Sequence, residues 1–138
     1  MKKHIFTTSL FTLLSLFTWA QTKPVRIVFD VTNNDTLTHR TALRHASGEA
    51  KAHPDGQIEI VIYSSSLDMV VAGKSTVAPA IKEVMAMKNV SIKVCEATMK
   101  RHNVVKTQLL PGVETVPDGI IEIIERQGEG WGYIKEAR

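Results

Sequence analysis

The stretch VSIKVCEATMKR, residues 90–101, joins two different patterns of side chains. Its first half, Val90–Cys95, alternates apolar with small or charged residues, which predicts a β-strand. Its second half, Glu96–Arg101, predicts a short helix that Asn103 ends. A strand that passes directly into a helix is typical of α/β proteins with a parallel sheet.

The same order of strand and helix continues along the chain on both sides of this stretch. Short β-branched runs predict strands, and polar capping residues or an early proline predict the starts of helices. The predicted strands are residues 25–31, 58–63, 90–95, a short strand within 110–116, and 130–135; the predicted helices are residues 36–50, 77–88, 96–101 and 117–127. We therefore expect an α/β fold: a single-domain three-layer sandwich with a mainly parallel sheet of about five strands and helices on both faces.

The first twenty residues, MKKHIFTTSLFTLLSLFTWA, are typical of a secretory signal peptide. Two lysines precede a short apolar stretch, and Thr18-Trp19-Ala20 is similar to a small-x-small cleavage site. Threonines and serines dilute this stretch, and it is shorter than the roughly 20 apolar residues of a spanning helix. We expect cleavage near Ala20, a mature domain over residues 21–138 in the periplasm or secreted, and no stable membrane span after cleavage. An uncleaved N-terminal anchor is the alternative.

Composition limits the classes of partner. The 138 residues are 43% hydrophobic and 22% charged, which indicates a folded domain and not a disordered tail. Without Lys2 and Lys3 of the predicted signal, 15 basic residues remain against 14 acidic ones. A nearly neutral domain with no basic run and 6% aromatic residues lacks the features of nucleic-acid binding, so we expect no nucleic-acid partner.

Candidate site residues lie where the predicted strands end. Ligands of open parallel sheets bind beyond the carboxyl ends of the strands. Cys95 ends a strand there and begins a helix, a position that favours the reactive thiolate form of cysteine, and it is the candidate catalytic residue. The candidate binding residues are Asn33, Ser64, Ser65 and Thr98. Burial of Cys95 as a small apolar side chain is the alternative interpretation.

The remaining polar motifs predict neither a metal nor a cofactor. No pair of histidines has the spacing of a zinc site, one cysteine cannot build a thiolate site, and no phosphate-binding loop is present. His39, His45 and His53 are interpreted as exposed residues of a surface helix. Asp30 is interpreted as a polar edge group without a functional role, and the apolar segment 69–72 as a subunit interface.

Three segments of the chain resemble a known family. They are residues 94–99, VCEATM; residues 110–119, LPGVETVPDG; and the C-terminal pair of Gln127-Gly128 with Gly132-Tyr133-Ile134-Lys135. Over about residues 25–135 the chain resembles the DsrE/DsrF-like family, which has the YchN-like fold. The resemblance implies a small α/β sandwich that assembles into trimers or hexamers. It also implies that Cys95 matches the cysteine on which sulfur-relay members carry a persulfide, and that Thr98 matches a threonine with an orienting role.

The resemblance leads to one functional expectation with two alternatives. We expect an exported DsrE-like protein whose Cys95 acts as a persulfide carrier or in sulfurtransferase-type thiol chemistry, with a sulfur donor or acceptor protein as partner. The alternatives are a non-catalytic oligomeric scaffold, in which Cys95 only packs, and a thiol redox sensor. Whether the protein is an enzyme stays open at this point. An accessible Cys95 in a cleft with nearby N–H groups favours sulfur or redox chemistry, and a Cys95 buried at a subunit interface favours the scaffold.

Overall fold

A computed structural model describes residues 23–137, in which five strands form one parallel sheet. The strands are β1 (Arg26–Val31), β2 (Gln57–Ile62), β3 (Val90–Cys95), β4 (Glu114–Val116) and β5 (Gly132–Glu136). Their order in the sheet is β4-β3-β2-β1-β5, and every neighbouring pair is parallel. The predicted parallel α/β fold is confirmed. The predicted signal peptide, residues 1–20, lies outside the described residues.

Four α-helices connect these strands: α1 (Thr36–Ala52), α2 (Ala78–Met85), α3 (Glu96–Arg101) and α4 (Gly119–Gly128). Side-chain caps explain where α1 and α4 begin. Asp35 accepts a hydrogen bond from the Thr38 N–H at the start of α1. Asp118 accepts from the N–H groups of Ile120 and Ile121 at the start of α4. None of the helices within residues 23–137 has the length and apolar character needed to cross a membrane.

One side of the sheet, which we call the aliphatic face, carries the main core. Successive strand residues point to opposite faces, so alternate positions of β1, β2 and β3 lie on this side. They pack under α1 and α2, and each is at most 2% exposed: Phe29, Val31, Ile58, Ile60, Ile62, Ile92 and Val94. Burial of a large aliphatic side chain contributes about 1.5–3 kcal/mol, so this face supplies most of the driving force for folding.

The opposite side, which we call the α4 face, is half polar. Its apolar part is a small cluster of Val28, Val61 and Ile123, with Tyr63 and Trp131 packed against it. Val116 of β4 also lies on this side, and the polar or ionisable strand residues there include Asp30, Glu59, Lys93, Cys95, Tyr133 and Lys135. A single helix, α4, covers this face and contributes only Gly119 and Ile123 as buried residues.

The structure corrects the prediction of a subunit interface at residues 69–72. A 3₁₀ helix spans Ser64–Val70, and it packs against α2 and α3 inside the same chain. Met69 and Val70 are 0% exposed and Val71 is 2% exposed. The Leu110 N–H also donates to the Val70 carbonyl, at 2.8 Å. The segment is apolar because it belongs to the core of its own domain.

The interpretation of His39 as an exposed residue is also wrong. His39 is 2% exposed, because it lies on the side of α1 that faces the sheet. Its Nε2 lies 2.8 Å from the carbonyl oxygen of Asn33. A carbonyl only accepts hydrogen bonds, so Nε2 is the donor. This hydrogen bond from His39 stabilises the turn between β1 and α1.

Candidate functional site

Cys95 lies at the carboxyl end of β3 on the α4 face. Its backbone is extended, with φ −70° and ψ 117°, and it directly precedes α3. In the sheet it pairs with Val116 of β4 on one side. On the other side Ile62 pairs with Val94, so the next residues, Tyr63 and Cys95, are neighbours across β2 and β3. Cys95 is 4% exposed within this chain.

The first residue of α4 closes over this pair. A Cβ atom added to Gly119 would lie 3.3 Å from the Cβ of Cys95 and 3.3 Å from both the Cβ and the Cδ1 of Tyr63. This contact is tighter than most Cβ atoms make, so a side chain at this position would require Cys95 or Tyr63 to shift by a few tenths of an ångström. The Ala97 N–H donates to the Pro117 carbonyl at 3.3 Å and joins the start of α3 to the segment before α4. The Cys95 side chain thus lies among Tyr63, Val116 and the start of α4.

Thr98 supports the backbone beside this site. It is 0% exposed, and its hydroxyl accepts from the Ser64 N–H at 3.2 Å and from the Arg101 guanidinium at 3.0 Å. Ser64 has φ +60°, in the left-handed region that is unusual for residues other than glycine. The hydrogen bond from Ser64 to Thr98 holds this turn at the end of β2. Thr98 therefore connects α3 with the residue that follows Tyr63.

Asn33 and Ser65 lie at the same edge of the sheet as Cys95 but serve the turns after β1 and β2. The Asn33 side-chain oxygen accepts from the Asp35 N–H at 3.1 Å. The Ser65 N–H donates to the Thr32 carbonyl at 3.0 Å. Because β2 lies between β1 and β3, Asn33 is two strands away from Cys95. The structure thus brings Thr98 and Ser64 together and places Asn33 further along the edge.

Asp30 is the residue that the sequence interpretation missed. It is 4% exposed in the middle of the sheet and accepts three hydrogen bonds. The Tyr133 hydroxyl donates at 2.7 Å, the Lys135 ammonium at 3.0 Å and the Tyr63 hydroxyl at 3.3 Å. Both tyrosines of the chain therefore meet at one carboxylate. A polar residue inside the apolar run 25–31 was the available signal, but its partners follow 33 to 105 residues later.

The two tyrosines differ in what controls their ionisation. Burial is the largest cause that raises the pKa of Tyr63 to about 12, followed by the charge of Asp30 and the hydrogen bond to it. For Tyr133 the hydrogen bond to Asp30 comes first and raises its pKa to about 12. The Lys135 ammonium lies 5.8 Å from the centre of the Tyr63 ring and also donates to Thr32, at 2.6 Å. This group of side chains connects β5 to the neighbourhood of Cys95.

A second polar centre lies at the other end of α4. Glu59 is 2% exposed, and both of its carboxylate oxygens lie 3.2 Å from Nε of Arg126. The Arg126 guanidinium also contacts Glu122 at 2.7 Å and Glu129 at 3.2 Å, and it lies 5.1 Å from the Trp131 ring centre. Burial raises the pKa of Glu59, while Arg126 acts in the opposite direction. Glu59, Arg126, Glu129 and Trp131 line a polar cavity of about 470 Å³ at the amino ends of the strands.

The chemistry available at the carboxyl edge is that of one thiol. Among residues 23–137, no group of three or more His, Cys, Asp or Glu side chains is arranged to hold a metal ion. A single thiol can form one S–S bond with a donor and release it again by exchange. Cys95 is 4% exposed, so any such reaction requires a local movement that brings its Sγ into contact with the donor.

Comparisons with known proteins agree on the fold. The profile of the DsrE/DsrF-like family matches residues 26–135. A protein of unknown function from Methanobacterium thermoautotrophicum is 25% identical, with a TM-score of 0.75 over 80% of this chain and 98% of its own. The ychN protein of E. coli is 15% identical, with a TM-score of 0.65 over 80% of this chain and 97% of its own.

A third solved structure, a conserved protein of unknown function from Bacteroides thetaiotaomicron, is 16% identical to this chain. Its TM-score is 0.60 over 80% of this chain and 93% of its own. No functionally curated protein matches the sequence. The two less similar structures support the fold alone.

Proposed function

Since the chain belongs to the DsrE/DsrF-like family, with residues 26–135 matched, we propose that it handles sulfane sulfur on Cys95. The observation that carries this proposal is the place of the chain's single cysteine. It ends β3 at the carboxyl edge of a parallel sheet, where ligands of such sheets bind, and it lies beside the start of α4. Sulfur-relay-type chemistry fits both the family and this position.

The proposed reaction moves one sulfur atom without net oxidation. The Cys95 thiol releases its proton to solvent, and the thiolate attacks the outer sulfur of a persulfide, polysulfide or thiosulfate donor. A bond forms between Sγ and that sulfur and the S–S bond of the donor breaks. The rest of the donor leaves as a thiolate from a persulfide, as a polysulfide shortened by one sulfur atom, or as sulfite from thiosulfate. An acceptor thiolate then attacks the outer sulfur of the Cys95 persulfide and frees the Cys95 thiolate.

We also propose that the mature chain is exported and forms a homo-oligomer, a trimer or a hexamer. Residues 1–20 support export, because they have the composition of a signal peptide. The outer side of α4 supports assembly: Ile120, Ile121 and Ile124 are 53%, 50% and 57% exposed. Three large apolar side chains in contact with water on one helix are typical of an interaction surface.

The burial of Cys95 favours a second candidate function, a non-catalytic oligomeric scaffold. A cysteine that is 4% exposed can serve simply as a small apolar residue between β2, β4 and α4. In that case the exposed isoleucines of α4 would carry the function of the protein, and no sulfur would transfer. Thiol reactivity in the folded protein separates the two candidates.

The test is the intact mass of the purified mature protein before and after incubation with polysulfide or with thiosulfate. Sulfur transfer predicts a gain of one sulfur atom, its loss on treatment with a reducing thiol, and no gain in Cys95→Ser. Because Cys95 is the only cysteine, this variant is a complete thiol-free control. A chain that gains no sulfur, and that also resists alkylation while folded, would support the scaffold instead.

A further inference from the structure

We propose that the exposed isoleucines of α4 dock into an apolar pocket beside α2 of a second copy of this chain, so that the subunits join head to tail. This inference rests on the proposed assembly, since it names the surface that the outer side of α4 contacts. It is independent of the sulfur chemistry at Cys95. Two patches on opposite sides of the sheet carry it, which we call the α4 ridge and the α2 pocket.

The α4 ridge consists of Ile120, Ile121, Ile124 and Glu125 on the outer side of α4. The three isoleucines are 53%, 50% and 57% exposed. Glu125 is exposed as well, and it follows Ile121 by four positions, so the two side chains are neighbours on the helix surface. Among residues 23–137, Glu125 has no ion-pair partner. The ridge therefore offers an apolar surface with an unpaired negative charge beside it.

The α2 pocket lies on the opposite side of the sheet, between α2 and the segment that precedes β4, and it has a volume of about 490 Å³. Its lining residues are Ala78, Pro79, Ile81, Lys82, Leu110 and Pro111. All of them are apolar except Lys82. The Lys82 side chain is exposed, and in the described part of the chain it has no ion-pair partner. The pocket is thus the complement of the ridge, an apolar recess with an unpaired positive charge beside it.

The charges of the two outer layers are also opposite. Apart from histidines, α1 and α2 carry more cations than carboxylates: Arg40, Arg44, Lys51 and Lys82 against Glu49 and Glu83. Residues 118–129 carry more carboxylates than cations: Asp118, Glu122, Glu125 and Glu129 against Arg126. Two α4 helices placed face to face would bring like charges together, whereas α4 placed on the α2 side brings opposite charges together. Electrostatic complementarity of this kind selects the partner surface.

A contact between two different surfaces leaves each subunit with one further ridge or pocket to fill. Such a contact continues from subunit to subunit and closes into a ring when the rotation between subunits allows it, which agrees with the proposed trimer. A small apolar ligand is the other occupant to consider, because ligand sites have volumes of about 300–1,000 Å³. The unpaired Glu125 beside the isoleucines favours the second copy, since it supplies the anion that Lys82 lacks.

The first experiment exchanges the two charges in the purified mature protein. Lys82→Glu and Glu125→Lys each place like charges at the contact, and each should raise the dissociation constant of the oligomer about tenfold or more. Light scattering over a series of protein concentrations measures this constant. The double variant Lys82→Glu/Glu125→Lys restores the pair with reversed signs and should return close to the wild type. Lys100→Glu, at an exposed lysine of α3, is the matched control and should assemble like the wild type.

The second experiment mixes two variants that each lose one half of the contact. Ile121→Lys disrupts the ridge, and Ala78→Trp fills the pocket, so each variant alone should be monomeric. In the mixture, the intact ridge of Ala78→Trp meets the intact pocket of Ile121→Lys. Head-to-tail docking therefore predicts a complex that contains one chain of each variant and grows no further, which native mass spectrometry detects. A face-to-face contact of two α4 helices predicts instead that Ala78→Trp assembles alone and that the mixture forms no such pair.

Three results would overturn the docking. A monomeric wild type removes the docking together with the assembly. Wild-type assembly of both Ala78→Trp and Lys82→Glu leaves the oligomer in place and shows that the pocket is not its contact, as a pocket for a small ligand would predict. Dissociation of the double charge variant as readily as the single variants removes the pairing of Lys82 with Glu125. Sulfur transfer is tested separately, because the gain of mass at Cys95 is measured in each variant whatever its assembly.

Discussion

The two faces of the sheet are built on different principles. The aliphatic face packs β1, β2 and β3 against α1 and α2 with side chains such as Phe29 and Ile60, both 0% exposed. The α4 face buries Asp30 and Glu59 at 4% and 2% exposure and pairs each with cations or hydroxyls. Buried ion pairs contribute little net stability, because desolvation offsets their attraction. The first face therefore stabilises the sheet, and the second is free to hold a thiol and polar groups.

This contrast predicts the largest effect for a truncation on the aliphatic face. Phe29→Ala removes a fully buried ring beneath α1 and should lower the free energy of unfolding by about 3–5 kcal/mol. Urea unfolding followed by circular dichroism measures this loss. Tyr133→Ala on the α4 face is the control. Because Tyr133 is 42% exposed, this substitution should lower the free energy of unfolding clearly less than Phe29→Ala does. Equal losses would remove the distinction between the faces.

The next effect comes from breaking the ion pair at the end of α4. Arg126→Met leaves the Glu59 carboxylate buried without its cation. The substitution should lower the free energy of unfolding by about 2 kcal/mol at neutral pH. This is less than the usual loss for a fully buried pair, because the Arg126 side chain is 25% exposed. Burial raises the folded pKa of Glu59, so the ionised form opposes folding. The loss should therefore shrink as pH falls and Glu59 becomes protonated.

Urea unfolding of Arg126→Met at neutral pH and at about pH 5 tests this sign. The double variant Glu59→Gln/Arg126→Met should recover part of the stability at neutral pH, because no buried charge remains. A loss that grows as pH falls, or a double variant less stable than the single one, would show that the pair stabilises the face by its charge.

A smaller effect is expected at the Asp30 cluster. Asp30→Asn keeps a hydrogen-bond acceptor but removes the negative charge. It should lower the free energy of unfolding by about 1 kcal/mol. In the wild type, the raised pKa of both tyrosines, about 12, adds stability that is complete below their unfolded pKa near 10 and is lost as pH rises towards 12. The variant should lose less of its stability over this alkaline range.

Ultraviolet titration of the tyrosines separates the two residues. In Asp30→Asn the pKa of Tyr133 should fall further than that of Tyr63, since the Asp30 hydrogen bond is the largest cause for Tyr133 and burial is the largest for Tyr63. An unchanged pKa of both tyrosines would contradict the cluster, and equal shifts would contradict the different ranking of causes for the two residues. Tyr63→Phe and Tyr133→Phe assign the two transitions.

The smallest change in stability is expected on the outer side of α4. Ile121→Lys replaces a side chain that is 50% exposed and should alter the stability of the monomer by about 0.5 kcal/mol or less. If this side is a subunit interface, light scattering should show dissociation of the oligomer. Leu37→Lys, on α1 and 49% exposed, is the matched control and should leave the assembly unchanged. A wild type that is already monomeric would end the assembly proposal.

Local patterns in the sequence were sufficient for most of the fold. The signals that act within a few residues are the alternation in β3, the caps at Asp35 and Asp118, and the proline in the first turn of α2. The structure confirms the elements that these signals predict. Residues 69–72 were wrongly interpreted as a subunit interface because they follow and end a buried 3₁₀ helix, Ser64–Val70, which has neither a helical nor a strand period.

The candidate site was less accessible to sequence reasoning because its contacts are long-range. Asp30 was interpreted as an edge group, yet its donors come from the end of β2 and from β5. His39 was assigned to the surface, since a pattern of polar residues on a helix does not reveal which histidine faces the sheet. The closeness of Gly119 to Cys95 depends on how α4 is placed, which no local pattern encodes.

The most direct test of the central claim is the release of the carried sulfur as thiocyanate. The mature protein is incubated with polysulfide, freed of excess reagent and treated with cyanide, which takes the outer sulfur of a persulfide and leaves the Cys95 thiolate. The account predicts one thiocyanate for each wild-type chain and none for Cys95→Ser. No thiocyanate from the wild type, or the same amount from both proteins, would contradict sulfur transfer at Cys95.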